Sequence, residues 1–355
     1  MGITWAQVLT WRVRRQLLDR PETDDPVEIA RRLCGVQAQV AAAAATAIAV
    51  RQRRPEPGAA AAALAERRLV KTWAMRGTLH LLPVAEAGAY LSLLAAGRPW
   101  EKGSWQRTFA TADQINALGE AVGEALEGGV LGREELVAEV QRRIGDAELA
   151  EKLRSGWGAL LKPLAFQGLL CHGPSDGNRV TFARPDRHLP DWRPPPDPEA
   201  AAAHVIPAYL GTYGPAPLDS FEQWLYRGAL RKSLLRSWVT ALGDRLVEAD
   251  IEGERAYARA EDVAEIEATE PAAGPVRLLP AFDQFVLGPG TKDTRIIPAA
   301  RRAEISKTAG WISPVVVAAG RVAGTWESSG PELAVTLWPE AGPVSREELA
   351  AEAAR

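Results

Sequence analysis

Gln37 and Gln39 are the residues whose types and spacing bear most directly on chemistry; they lie in Leu33-Cys34-Gly35-Val36-Gln37-Ala38-Gln39-Val40. Glutamine does not titrate, so neither serves as an ordinary general acid or base. An amide can instead orient a water or hydrogen-bond a base edge. Taken alone, the pair reads first as a polar interruption between two helices. Joint chemistry requires extended backbone. Alternation then puts Gln37 and Gln39 on one face and Val36, Ala38 and Val40 on the other. On a helix, two steps of about 100° would leave the amides nearly opposite.

Little else in the chain suggests metal or redox chemistry. Cys34 and Cys171 form no CxxC, and His80, His172, His188 and His204 are scattered, so neither a disulfide framework nor a zinc site is expected. No metal and no cofactor is expected. The longest uncharged run, Leu33 to Val50, is mostly alanine and holds both glutamines, a poor membrane span. The N-terminus leads directly into an amphipathic segment, without a signal peptide, and Ala6 stands where myristoylation needs Ser or Thr. These features point to a cytoplasmic protein with no membrane partner. Net charge is −3, yet Met1 to Arg107 carries 16 Lys and Arg against 9 Asp and Glu, and the remainder 26 against 36. A basic N-terminal third suits one region that binds a polyanion.

The glutamines need elements to hold them. Thr4 with Gln7 caps a helix expected over Trp5 to Leu18. Asp25-Pro26-Val27-Glu28 starts a second, which Gly35 stops. A third is expected from Ala41 to Arg53 and a fourth from Ala59 to Val70, followed by a strand or hairpin from Lys71 to Pro83. Helices followed by a small hairpin are the pattern of a winged helix.

The pattern recurs. Helices are expected at Thr111 to Leu126, Arg133 to Arg143 and Leu153 to Gln167, the last broken near Pro163. Gly168 to His172 and Arg179 to Phe182 flank a turn at Pro174 to Asn178. After a proline-rich linker at 187–196, helices begin at Asp197, Asp219 and Leu230, with a hairpin around Glu252-Gly253. From Val276 the chain becomes strand-rich, with a meander over 315–338 and a last helix capped by Ser345. The expected class is α+β: three tandem winged-helix units, at 1–107, 108–196 and 197–274, and a β-rich C-terminal region at 275–355.

Five stretches together carry a resemblance: Trp11-Arg12-Val13-Arg14-Arg15-Gln16, Gly35-Val36-Gln37-Ala38-Gln39, Thr72-Trp73-Ala74-Met75-Arg76-Gly77-Thr78-Leu79-His80, Tyr213-Gly214-Pro215-Ala216 and Leu278-Leu279-Pro280-Ala281-Phe282-Asp283. The chain resembles, over nearly its whole length, the winged-helix DNA glycosylases related to AlkZ and YcaQ. The resemblance implies a concave, C-shaped DNA-binding surface and removal of N-alkylated purines from DNA. It places the family's catalytic motif, glutamine, an apolar residue, then glutamine or aspartate, on Gln37-Ala38-Gln39. Gln39 matches the AlkZ branch and departs from the YcaQ branch, which carries aspartate there. The AlkZ branch is associated with unhooking interstrand cross-links made by a DNA-alkylating natural product, as self-resistance in its producer. The Ala- and Arg-rich composition fits a high-GC bacterial genome.

Two amides suffice for such chemistry because an N7-alkylated guanine is cationic and leaves as a neutral base. The transition state resembles an oxocarbenium sugar. Amide carbonyls can hold a water against C1′ and place partial negative charge beside the sugar. A cross-linked base cannot rotate fully out of the duplex, so an open cleft is expected rather than a deep flipping pocket. No lysine stands beside the glutamines to form a Schiff base, which implies a monofunctional enzyme.

Lys71, Arg76 and His80 are candidate phosphate or cleft contacts, and Arg231, Lys232 and Arg236 candidate backbone contacts from the third unit. Trp73 and Asp283 are candidates for the cleft itself. The expected partner is double-stranded DNA bearing alkylated purines or cross-links, held by a monomer. A winged-helix regulator without chemistry, or a protein that sequesters the alkylating compound, are the competing readings.

Overall fold

Local capping chemistry starts the helices where the residues put it. In the computed structural model, which describes residues 2–155, 158–177, 179–271, 274–330 and 332–354, Thr4 and Gln7 form a reciprocal capping box on the helix Trp5–Arg15. Thr111 and Gln114 do the same for Ala112–Ala125. Asp25 accepts from the Val27 amide at 3.1 Å and Pro26 takes the first helical position, where its missing N–H costs nothing. At the far end of the chain, Ser345 Oγ accepts from the Glu348 amide and caps Arg346–Ala354.

The chain forms two compact units. One comprises residues 1–61, 206–224 and 239–355. It holds the helices Trp5–Arg15, Pro26–Arg32 and Ala41–Ala49, the hairpin Leu246–Ile251/Glu254–Arg259 and a four-stranded antiparallel sheet. That sheet runs in the order Glu332–Leu337, Arg321–Ser329, Val315–Ala318, Arg277–Leu279, with a register shift between Val316 and Val317. The hairpin turn is Glu252-Gly253, both at positive φ (53° and 87°), as a two-residue turn of this hand requires. One core cluster packs Leu9 and Val13 of the first helix against Phe285, Val286, Ile297 and Val315. A second joins Trp5, Val8 and Trp11 to Ile251, Ala256 and Ile266.

The other unit comprises residues 62–205 and 225–238. Strands Leu69–Trp73 and Leu79–Pro83 pair around a 3-10 turn at Met75–Gly77. The helix Val84–Ala96 follows. Helices Ala112–Ala125 and Arg133–Ile144 accompany a three-stranded sheet in the order Leu131–Gly132, Thr181–Ala183, Cys171–His172. The strands expected around the Pro174 to Asn178 turn do pair, Cys171 with Ala183 and His172 with Phe182. Asn178 itself lies outside the described residues.

Several elements differ from expectation: the helix expected from Ala59 to Val70 ends at Ala65, and Leu69 and Val70 belong to a strand. The helix expected over Leu153 to Gln167 is confined to Leu161–Phe166. Gly156 and Trp157 lie outside the described residues, and Gly158 takes φ 62°, a left-handed position where a Cβ would overlap the Trp73 ring. Pro163 tolerates only the first turn of the helix that follows. The helix Val84–Ala96 was absent from the sequence reading. Its burial reaches most of its circumference, from Val84 through Leu94, so no one-sided stripe marks it.

Candidate active site

The helix before Gln37-Ala38-Gln39 is actively stopped, and the chain leaves it as the two-residue strand Val36–Gln37, with Gln39 in a bend. The Leu33 amide donates to Ile29 and the Gly35 amide to Ala30 at 2.8 Å, with Cys34 at φ 54° and Gly35 at φ 98°. Val36–Gln37 is a strand, and Val40 (φ −114°, ψ 110°) precedes the helix Ala41–Ala49. Burial does not alternate as expected. Val36 and Ala38 are buried, but so is Gln37, at 6 % exposure, because both faces of the short strand are covered. Gln39 is exposed. One amide of the pair is thus held in a dry setting and the other meets solvent.

The stop is braced by residues far away in sequence. Tyr213 Oη donates to the Leu33 carbonyl at 2.7 Å, and Thr212 Oγ1 to the Arg32 carbonyl at 2.6 Å, so the last carbonyls of Pro26–Arg32 are satisfied. Burial drives the Tyr213 pKa well up, keeping the hydroxyl a donor. Gly288 lies against the Tyr213 ring with no room for a Cβ. Arg12, buried in the first helix, donates to the carbonyls of Gly214 (3.2 Å) and Pro215 (2.7 Å) and sits 3.5 Å from Asp293. Desolvation lowers its pKa, which the Asp293 charge opposes.

A second clamp holds the helix that begins two residues after Gln39. Arg51 donates to the Ala47 carbonyl (2.7 Å), the Gln16 carbonyl (3.1 Å) and both carboxylate oxygens of Asp283 (2.8 and 2.7 Å). Asp283 also accepts from the Phe285 amide at 2.8 Å and caps Gln284–Leu287. Asp283, a candidate for the cleft, is therefore corrected: its side chain has no exposed surface and both oxygens are engaged. Arg12, Arg51 and Tyr213 were not singled out from sequence. Arg12 and Tyr213 stood inside the resembling stretches, whereas Arg51 opens a basic run that reads as a solvated face.

In the other unit, Lys71, Trp73, Arg76 and His80 share one hairpin. Trp73 is buried against His172, ring centroids 4.8 Å apart, and Phe182, at 6.2 Å, so it is a core ring and not a surface for a base. His80 is fully buried, with Nδ1 3.0 Å from the Thr78 carbonyl. Desolvation and then the Arg76 charge push its pKa down to about 3, so the ring is neutral and beyond the reach of a phosphate. Lys71 is half-buried and burial lowers its pKa. Arg76 is half-buried at φ 58°. Arg231, Lys232 and Arg236 are exposed at and along the helix Lys232–Leu242, whose Leu235, Trp238 and Leu242 are buried. Several positive charges counted in the N-terminal third are consumed internally, Arg12 and Arg51 above all. Among the described residues no group of His, Cys, Asp or Glu is arranged to hold a metal, and no helix is long and apolar enough to cross a membrane.

Comparisons with known proteins agree with one another. A family model described as "DNA glycosylase AlkZ-like" matches residues 30–355. The chain is 45% identical over 342 residues to an "Interstrand DNA cross-link repair glycosylase" of Streptomyces sahachiroi, covering 96% of this chain and 92% of that protein. Its structure superposes on that of the "Streptomyces sahachiroi DNA glycosylase AlkZ" with a TM-score of 0.96, at 45% identity, covering 100% of this chain and 96% of the other.

Proposed function

The chain belongs to the AlkZ-like DNA glycosylase family, and from that premise we propose that it is a monofunctional glycosylase that hydrolyses the N-glycosidic bond of N7-alkylated purines. Its substrates include interstrand cross-links made by an alkylating natural product, which it unhooks as part of self-resistance. The observation that carries the reading is the setting of Gln37 and Gln39: the first on a short strand and buried, the second open to solvent, and both ends of the segment clamped.

Gln37 and Gln39 hold the attacking water against C1′ through their amide oxygens. Because the alkylated base is cationic, bond cleavage releases it neutral, and the site needs to supply orientation and partial negative charge rather than a strong base. Gln39 at the surface suits a substrate that cannot be drawn into a deep pocket. Lys71, Arg76, Arg231, Lys232 and Arg236 meet the phosphates of the duplex. Undamaged purines, whose base would leave as an anion, are poor substrates.

Incubation with duplex DNA carrying N7-alkylguanine, or a cross-link, tests this directly. Free alkylated base and an abasic strand are the expected products. A mobility shift without base release would favour a regulator, and capture of the alkylating compound without DNA cleavage products would favour sequestration.

A further inference from the structure

Among the large apolar side chains that the described residues leave exposed, Trp311 is the one aromatic, at 45 % exposure. It stands edge to face on Phe282, with ring centroids 4.9 Å apart and planes at 76°. The turn that carries it is fixed by its backbone. Ala309 and Gly310 take φ 65° and 81°, the Lys307 amide donates to the Trp311 carbonyl at 2.9 Å, and Ser306 bridges to Ile312. An indole held this way loses little freedom when a flat partner covers it.

Phe282 ties this ring to the frame around the glutamines. It sits at φ 61°, a costly conformation for a bulky residue. The next residue, Asp283, is the one that holds Arg51. Val40, which follows Gln39, packs on the same core cluster as Phe282 and Ile312. All of these residues belong to the unit that contains Gln37 and Gln39. Charge around the turn favours an anionic partner. Arg302 and Lys307 are exposed and form no ion pair among the described residues, whereas Glu304 and Glu340 are both engaged by Arg301.

We propose that Trp311 is a recognition residue for damaged DNA: its indole stacks on the base next to the lesion, with Lys307 on the neighbouring phosphate. The proposal rests on the glycosylase reading. A base that loses its stacking neighbour exposes a π face, and stacking on an aromatic ring is tolerant of base identity. Trp311 therefore serves any sequence context and touches no reacting atom.

Anisotropy of fluorescein-labelled duplexes, one intact and one with a single tetrahydrofuran abasic analogue, tests it with the full chain. Wild type is compared with Trp311→Leu and Trp311→Phe. Leucine keeps an apolar cover on Phe282 but has no π face, and Trp311→Gln serves the same reading if Trp311→Leu misfolds. Affinity for the abasic duplex should fall at least about fivefold in Trp311→Leu and stay within about twofold in Trp311→Phe, while affinity for the intact duplex changes little. Unchanged binding of the abasic duplex by the folded non-aromatic variant overturns the proposal. An equal loss on both duplexes overturns it too, because it marks a backbone contact. So does an equal loss in Trp311→Phe, which marks a packing role. The analogue has no glycosidic bond to cleave, so these outcomes do not depend on Gln37 and Gln39. Base release by wild type from an N7-methylguanine duplex, run alongside, reports on the glycosylase reading alone.

Discussion

Arg51→Met is the most informative single change outside the glutamines. Arg51 and Asp283 have no exposed side-chain surface and are joined at 2.7 and 2.8 Å. The substitution leaves the Asp283 carboxylate in the interior with the Phe285 amide as its remaining contact among those described. Breaking a buried pair from one side costs about 3–5 kcal/mol, out of a total stability of about 5–15 kcal/mol for a typical domain. At a urea slope of about 3 kcal/mol/M, the unfolding midpoint falls by roughly 1 M or more. The double variant Arg51→Met/Asp283→Leu removes both charges and should recover most of that loss. It keeps a deficit of about 1 kcal/mol for the lost helix cap. Urea denaturation followed by circular dichroism measures all of these. If Arg51→Met lies within about 1 kcal/mol of wild type, or the double variant is no better than the single, the clamp is not what holds this region.

Other expectations follow from the same geometry. Tyr213→Phe leaves the Leu33 carbonyl without its donor, at a cost of about 1–3 kcal/mol, and should slow base release per folded molecule; unchanged stability and rate would remove the brace from the account. His80 falls from 6.5 to about 3 on folding. Between those values the unfolded chain binds a proton the folded chain does not, so stability declines as pH drops below 6.5 and is unaffected above it. At about 1.36 kcal/mol per unit, the deficit at pH 5 is roughly 2 kcal/mol, and denaturation of His80→Leu across that window should show a flatter profile. Borohydride should trap no covalent enzyme–DNA adduct during turnover; a trapped adduct would mean an amine nucleophile and a different mechanism.

What the sequence made legible was local. The capping residues Thr4, Asp25, Thr111 and Ser345 each bond within three positions, so their chemistry is complete in a short window. Gly35 and the Glu252-Gly253 turn are likewise settled by backbone preference. The long-range pairs were not readable. Arg51 and Asp283 are 232 positions apart, and Tyr213 reaches Leu33 across 180. Nothing in the run Arg51-Gln52-Arg53-Arg54 distinguishes the buried Arg51 from the exposed Arg53 and Arg54 beside it. His80 and Asp283 were read as surface chemistry for the same reason: titratable residues look polar in sequence, and only packing reveals that one is neutral and the other consumed. The glutamines stand out through the resembling stretches around them rather than through their own spacing, and the strand Val36–Gln37 includes the first of the two.

The central claim is that Gln37 and Gln39 together position the attacking water. Single-turnover release of N7-alkylguanine by Gln37→Ala and by Gln39→Ala, at saturating enzyme and with stability checked, tests it most directly. Release should slow at least about 100-fold in Gln37→Ala and fall markedly in Gln39→Ala, with DNA affinity retained. Wild-type rates in both variants would contradict it.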